Sequence, residues 1–135
     1  MNKERFADLL MLSVHLPNEK QAEYLMREGV VIDSNLPNVD TDVLNKAIDK
    51  FGTSSQIDKT IEEMSELTKA LLKERYARKT EHHLEAIANV CEELADVIIM
   101  LNQLEIIFTE RYKAIPGEEL QKMIDFKIER LKGRL

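Results

Sequence analysis

Two long apolar stripes at helical spacing, separated by one short polar turn, constrain this chain more than any other feature. Ile57, Ile61, Met64, Leu67, Thr68 and Leu71 recur three or four residues apart, as do Ile87, Val90, Leu94, Val97, Ile98, Leu101, Leu104 and Phe108. At about 100° per residue, such positions share one face of an α-helix. The first helix is expected to reach Tyr76 and the second Tyr112, with "RKTE" as the turn and Thr80 as a cap for the second. Upstream, "DVLNKAIDKFG" reads as a helix ending near Gly52, and "TSSQ" restarts the chain with Thr53 as cap and Gln56 in capping-box spacing. Downstream, "IPGEE" interrupts, and a last helix from Glu118 to Lys132 carries Leu120, Met123, Ile124, Ile128 and Leu131. The expected fold is all-α: an antiparallel helical bundle with four core helices over residues 41–135.

Residues 1–40 read as an N-terminal appendage rather than a separate domain. "RFADLLMLSVHL" is a short amphipathic helix stopped by Pro17, and "NEKQAEYLMREG" a second, capped by Asn18 and ended by Gly29. "VVIDSNLPNVDTD" is irregular, with Val30 to Ile32 able to pair as a short strand.

Composition narrows the function classes. The 135 residues make one ordinary domain, and 44% hydrophobic content supplies a core. A net charge of -6 without a long single-sign block argues against non-specific nucleic-acid binding. The single Cys91 excludes an intrachain disulfide framework and a cysteine zinc site, and it reads as inert. No apolar run approaches the roughly 20 residues of a membrane span, and the start does not resemble a signal peptide, so a cytoplasmic setting is expected.

Charge is concentrated where it is least expected. "IEEMSELTKA" and "NVCEELADVIIM" place Glu63 with Glu66, and Glu93 with Asp96, on shared helix faces at the edge of the apolar stripes. Helices rise equally on both arms of a hairpin. A turn centred on Lys79 and Thr80 therefore sets Glu63 level with Asp96 and Glu66 level with Glu93. Four carboxylates at close range cannot all stay ionised without protons or cations among them. Hard divalent cations take oxygen ligands, and Mg²⁺ binds phosphates as well. Glu62 and Glu92 either face outward or join an outer shell.

The same residues resemble the E-E-x-x-E … E-x-x-D signature of the MazG-like, all-α nucleoside triphosphate pyrophosphohydrolases. "NKAIDKFGTSSQIDKTIEEMSELTKAL", "NVCEELADVIIMLNQLEIIF" and the terminal "FKIERLKGRL" are similar to the compact bacterial and phage members, over Val43 to Leu135. The resemblance implies a dimeric or tetrameric bundle that uses Mg²⁺, with Mn²⁺ as a substitute, to hydrolyse an NTP or dNTP to the monophosphate and pyrophosphate. It implies Glu63, Glu66, Glu93 and Asp96 as metal ligands, and Lys69 and Asn89 as substrate-binding residues. Either Glu63 or Glu66 would take the proton of the attacking water. Lys73, Lys127 and Arg130 are further phosphate candidates, although each also reads as plain surface charge.

Two other readings compete. A di-iron bundle needs Glu-x-x-His pairs, and no histidine has a glutamate three residues before it. A non-catalytic helical interaction protein would keep the fold and use residues 1–40 to dock a partner. His82 and His83 are expected to be exposed beside the turn, and His15 to pack or lie on the surface. Most of the six Met, together with Tyr76, Phe108, Tyr112 and Phe126, are expected in the core.

Overall fold

A computed structural model describes residues 38–135; the two helices and the short strand expected near the N-terminus, and His15, lie outside the described residues. Helix α1 spans Thr41–Phe51, α2 Thr53–Ala77 and α3 His83–Ile106; a π-helical turn covers Ile107–Arg111, and α4 spans Gly117–Lys132. There are four α-helices and no strand among the described residues, so this part of the chain is an all-α bundle.

Helix α1 starts at Asp40, whose carboxylate accepts hydrogen bonds from the backbone N–H groups of Asp42 (3.0 Å) and Val43 (3.2 Å). It ends at Gly52, at φ 89° and ψ 151°. That region of backbone space is essentially reserved for glycine. A Cβ there would meet nothing within 4 Å, so the demand is conformational rather than steric. Gly52→Ala is expected to cost roughly 1–3 kcal/mol of stability, measurable by urea denaturation. The expected Thr53 cap does not form. Gly52 precedes the helix, no side chain caps it, and Thr53 is the first helical residue. Its hydroxyl instead accepts a hydrogen bond from Tyr112 at 3.0 Å.

Between α2 and α3 the chain reverses over five residues, with Lys79 in the left-handed region at φ 68°. Thr80 closes this turn locally. Its hydroxyl donates to the carbonyl of Ala77 (2.6 Å) and accepts from the N–H of His82 (3.3 Å). A longer-range clasp adds to it. Glu74 takes a two-toothed bond from Arg78, with Nε and Nη2 each at 2.8 Å, and meets His83 Nε2 at 3.0 Å. Arg78 first, then His83, hold the Glu74 carboxyl down at about 2. His83, expected to be exposed, is thus half-buried against a carboxylate of the opposite arm, whereas His82 is exposed.

The apolar core is small and lies at the far end of the hairpin. Leu44 and Ile48 of α1 pack on Ile106 and Ile107, with Val39, Ile57 and Phe108 around them; Ile107 is 0% exposed. The π-helical turn directs Arg111 at α1, where it reaches Asp49 (2.6 Å) and the side-chain oxygen of Asn45 (2.8 Å). Phe108 and Tyr112 meet edge to face at 5.5 Å.

Along the α2–α3 seam the pairing is unlike the sequence expectation. Helix α2 buries Gln56, Thr60, Glu63 and Ala70, while of its apolar stripe Ile57 and Leu67 are partly buried and the rest exposed. Ile61 is 60% and Met64 50% exposed. Facing them, α3 buries Ala88, Val97, Ile98, Met100 and Gln103. Tyr76, Tyr112, Met64, Met123 and Phe126 are therefore surface residues in the single chain, contrary to the expectation that they lie in the core. Met100 is buried and Phe108 partly so, as their spacing suggested. Helix α4 buries no residue at all.

Candidate metal centre

The polar line on α2 brings the acidic motif to the seam. Glu63 stands one turn beyond Thr60 and is only 9% exposed. Thr60 is buried because its hydroxyl is satisfied within the helix, donating to the carbonyl of Gln56 at 2.8 Å. From the other arm come Glu93 and Asp96, one turn apart on α3 and both half-buried. One carboxylate oxygen from each of Glu63, Glu93 and Asp96 lies within 4.8 Å of the others. These three residues could hold a metal ion.

The electrostatics follow from this crowding. Glu93 is pushed above the ordinary carboxylate range by burial first, then by the charges of Asp96, Glu66, Glu92 and Glu63. Asp96 is pushed up by burial and by Glu63 and Glu92, with Lys59 acting the other way. Among the described residues neither Glu93 nor Asp96 has an ion-pair partner within 4 Å. Both α3 acids thus carry an uncompensated cost of being charged, which a bound cation removes.

Glu66 is placed differently from the other three. Its carboxylate is drawn to Lys69 at 2.8 Å, and that ammonium group holds it below the ordinary range. Its charge helps to raise Glu93, but it does not join the three-carboxylate group. The fourth expected ligand is therefore an adjacent acid with its own counter-ion. Glu62 and Glu92 are exposed; Glu62 is reached by Lys59 at 3.3 Å.

Of the other expected site residues, Asn89 lies one turn before Glu93 toward the hairpin tip. With Lys73, Ala77, His82, Glu85 and Ala86 it lines an open concavity of about 240 Å³. Lys73 thus shares a depression with Asn89, whereas Lys127 and Arg130 are exposed on α4. Cys91 borders a separate apolar depression with Val39, Leu94 and Ile98. Burial pushes its thiol up, as befits an unreactive cysteine.

Sequence reasoning missed Lys59. It forms an ion pair with Glu63 at 2.5 Å and stands four residues before it on the same helix. The signal was present as K-x-x-x-E, but such spacing is commonplace on helices and pointed nowhere by itself.

Comparison of the chain with protein-family models, with curated proteins and with solved structures gave no significant match.

Proposed function

We propose that the chain is a Mg²⁺-dependent nucleoside triphosphate pyrophosphohydrolase, with Mn²⁺ able to replace Mg²⁺, acting as a homodimer or larger assembly. The observation that carries this reading is the convergence of Glu63, Glu93 and Asp96 from two helices onto one point. The donor set fits a hard divalent cation. It is all oxygen, and ligands around one Mg²⁺ at about 2.1 Å lie about 3–4 Å apart, close to the spacing found here. The resemblance of "EEMSE" and "EELAD" to the MazG-like signature supplies the identity of the metal and the reaction.

A bound metal would polarise the phosphoryl group and lower the pKa of a water. The chain's own residues have the remaining tasks. Water attacks the α-phosphorus, the bond from that phosphorus to the bridging oxygen breaks, and pyrophosphate departs with the bridging oxygen. Glu66, outside the three-carboxylate group, would accept the water's proton. While Lys69 holds it, Glu66 is a weak base; once Lys69 turns to a phosphate oxygen, its basicity returns. Asn89 and Lys73, which line the adjoining concavity, would hold the departing phosphates.

The exposed apolar faces support assembly. Ile61, Met64, Leu71 and Leu72 on α2, and Met123, Ile124, Phe126, Ile128 and Leu131 on α4, are more apolar surface than a monomer usually shows.

A panel of NTPs and dNTPs with Mg²⁺ and Mn²⁺, with pyrophosphate and orthophosphate measured separately, tests the reaction. Pyrophosphate release is expected; orthophosphate alone, or no turnover on any nucleotide, removes the enzyme and leaves a helical interaction protein. A monodisperse monomer by light scattering removes the assembly.

A further inference from the structure

We propose that Lys59 is a resident counter-ion of the carboxylate centre: a divalent cation must displace it from Glu63, and the displaced ammonium group then meets the anion that the metal brings in. The inference rests on the reading of Glu63, Glu93 and Asp96 as metal ligands.

Three observations lead to it. First, Lys59 does not sit on an ordinary solvated pair. Its partner Glu63 is nearly buried and is itself a member of the three-carboxylate group, and the contact is 2.5 Å. Second, the order is the less favourable one. On an isolated helix, Glu four residues before Lys is stabilised better than Lys before Glu. Helix geometry alone therefore favours this pair less than the reverse order would be favoured. Third, the ammonium group is not committed to solvent: it lies within 4 Å of two acids of the motif, Glu63 at 2.5 Å and Glu62 at 3.3 Å.

Charge balance gives the consequence. A cation bound by Glu63, Glu93 and Asp96 takes up the Glu63 carboxylate whose charge Lys59 now neutralises. The ammonium group is half-exposed on a flexible four-carbon stem, so it leaves Glu63 without unfolding anything and stays within reach of the centre. A di- or triphosphate held by the metal then supplies its next partner. Lys59 thereby opposes metal binding in the absence of substrate and supports anion binding once metal is present. Lys69 pairs with Glu66 from the other side of that acid, so Glu63 and Glu66 both carry an ammonium group until a ligand arrives.

The test is titration of the purified full chain with Mn²⁺ alone, followed by the loss of the free-ion electron paramagnetic resonance signal, and then with inorganic pyrophosphate at saturating Mn²⁺. Lys59→Met is expected to bind Mn²⁺ about tenfold more tightly than wild type, the scale of a single opposite charge at close range. It should bind pyrophosphate about tenfold more weakly. Lys59→Arg keeps the charge and should bind Mn²⁺ like the wild type. Unchanged or weaker Mn²⁺ binding by Lys59→Met, in a wild type that does bind, overturns the counter-ion role alone. Equal tightening by Lys59→Arg overturns it too, because charge is then not the cause. Tighter Mn²⁺ with unchanged pyrophosphate overturns the second step. No Mn²⁺ binding by either protein overturns the metal centre and this inference together.

Discussion

If the proposed function holds, replacing Glu63, Glu93 or Asp96 singly by alanine is expected to lower turnover at least ~100-fold, because each would supply one of the three ligand oxygens. The same variants should lose most of their Mg²⁺ affinity. Glu66→Ala should lose turnover comparably for a different reason. Glu66 lies outside the three-carboxylate group, so metal affinity should stay near that of wild type while kcat falls. Lys69→Ala should raise KM more than it lowers kcat if, as proposed, its ammonium group binds phosphate in the substrate complex. Metal titration of the Glu66 and Asp96 variants, alongside their kinetics, separates the two kinds of acid. Equal loss of metal affinity in both would place Glu66 among the ligands and return the proton acceptor to Glu63. Full activity in the Asp96 variant would discard the centre altogether.

The distinction between these acids shows where sequence was informative. The hairpin was legible because helical rise is the same on both arms: a turn near Lys79 fixes the level of Glu63 against Asp96 whatever the side chains do. The breaks at Gly52 and at Pro116 and Gly117 were legible for equally local reasons, since backbone freedom and a missing N–H act at the residue that has them. Side-chain partner choice was not. Glu66 and Glu63 have the same spacing to their lysines as many surface pairs, and only the arrangement across the seam shows which carboxylate reaches the centre. Nor was the buried face of α2 legible. A stripe such as Ile61, Met64 and Leu71 says that apolar surface must be covered, and does not say whether the cover comes from this chain or another. Here α3 takes the polar line instead, and the stripe is left outward. The π-helical turn had no sequence signal, although it alone carries Arg111 to Asp49.

Metal should raise thermal stability steeply, and the pH dependence of that rise should identify the centre. A ligand that binds only the folded state contributes about 2.7 kcal/mol at a hundredfold excess over Kd, and about 4.1 kcal/mol at a thousandfold. Without metal, Glu93 and Asp96 have folded pKa values raised above their ordinary values of 4.5 and 3.8. Folding then favours their protonated forms, so the metal-free protein gains stability as pH falls through the raised values, and the gain is complete below the ordinary ones. Glu74, held at about 2, and Glu66, held below its ordinary value, act oppositely. Their contributions are fully present above 4.5 and are lost as pH falls through the folded values. The metal-free Tm is therefore expected to peak on the acid side of neutrality, above the pH at which Glu66 and Glu74 are protonated. Saturating Mg²⁺ should lift Tm most near neutral pH and least where Glu93 and Asp96 take up protons, since metal and protons compete for the same oxygens. Asp96→Asn should raise the metal-free Tm at neutral pH, flatten its acid-side peak and abolish the metal-linked rise. Differential scanning calorimetry of both proteins across this range, with and without millimolar Mg²⁺, makes the comparison. A wild type whose Tm ignores metal at every pH leaves Glu63, Glu93 and Asp96 as a crowded structural cluster and nothing more.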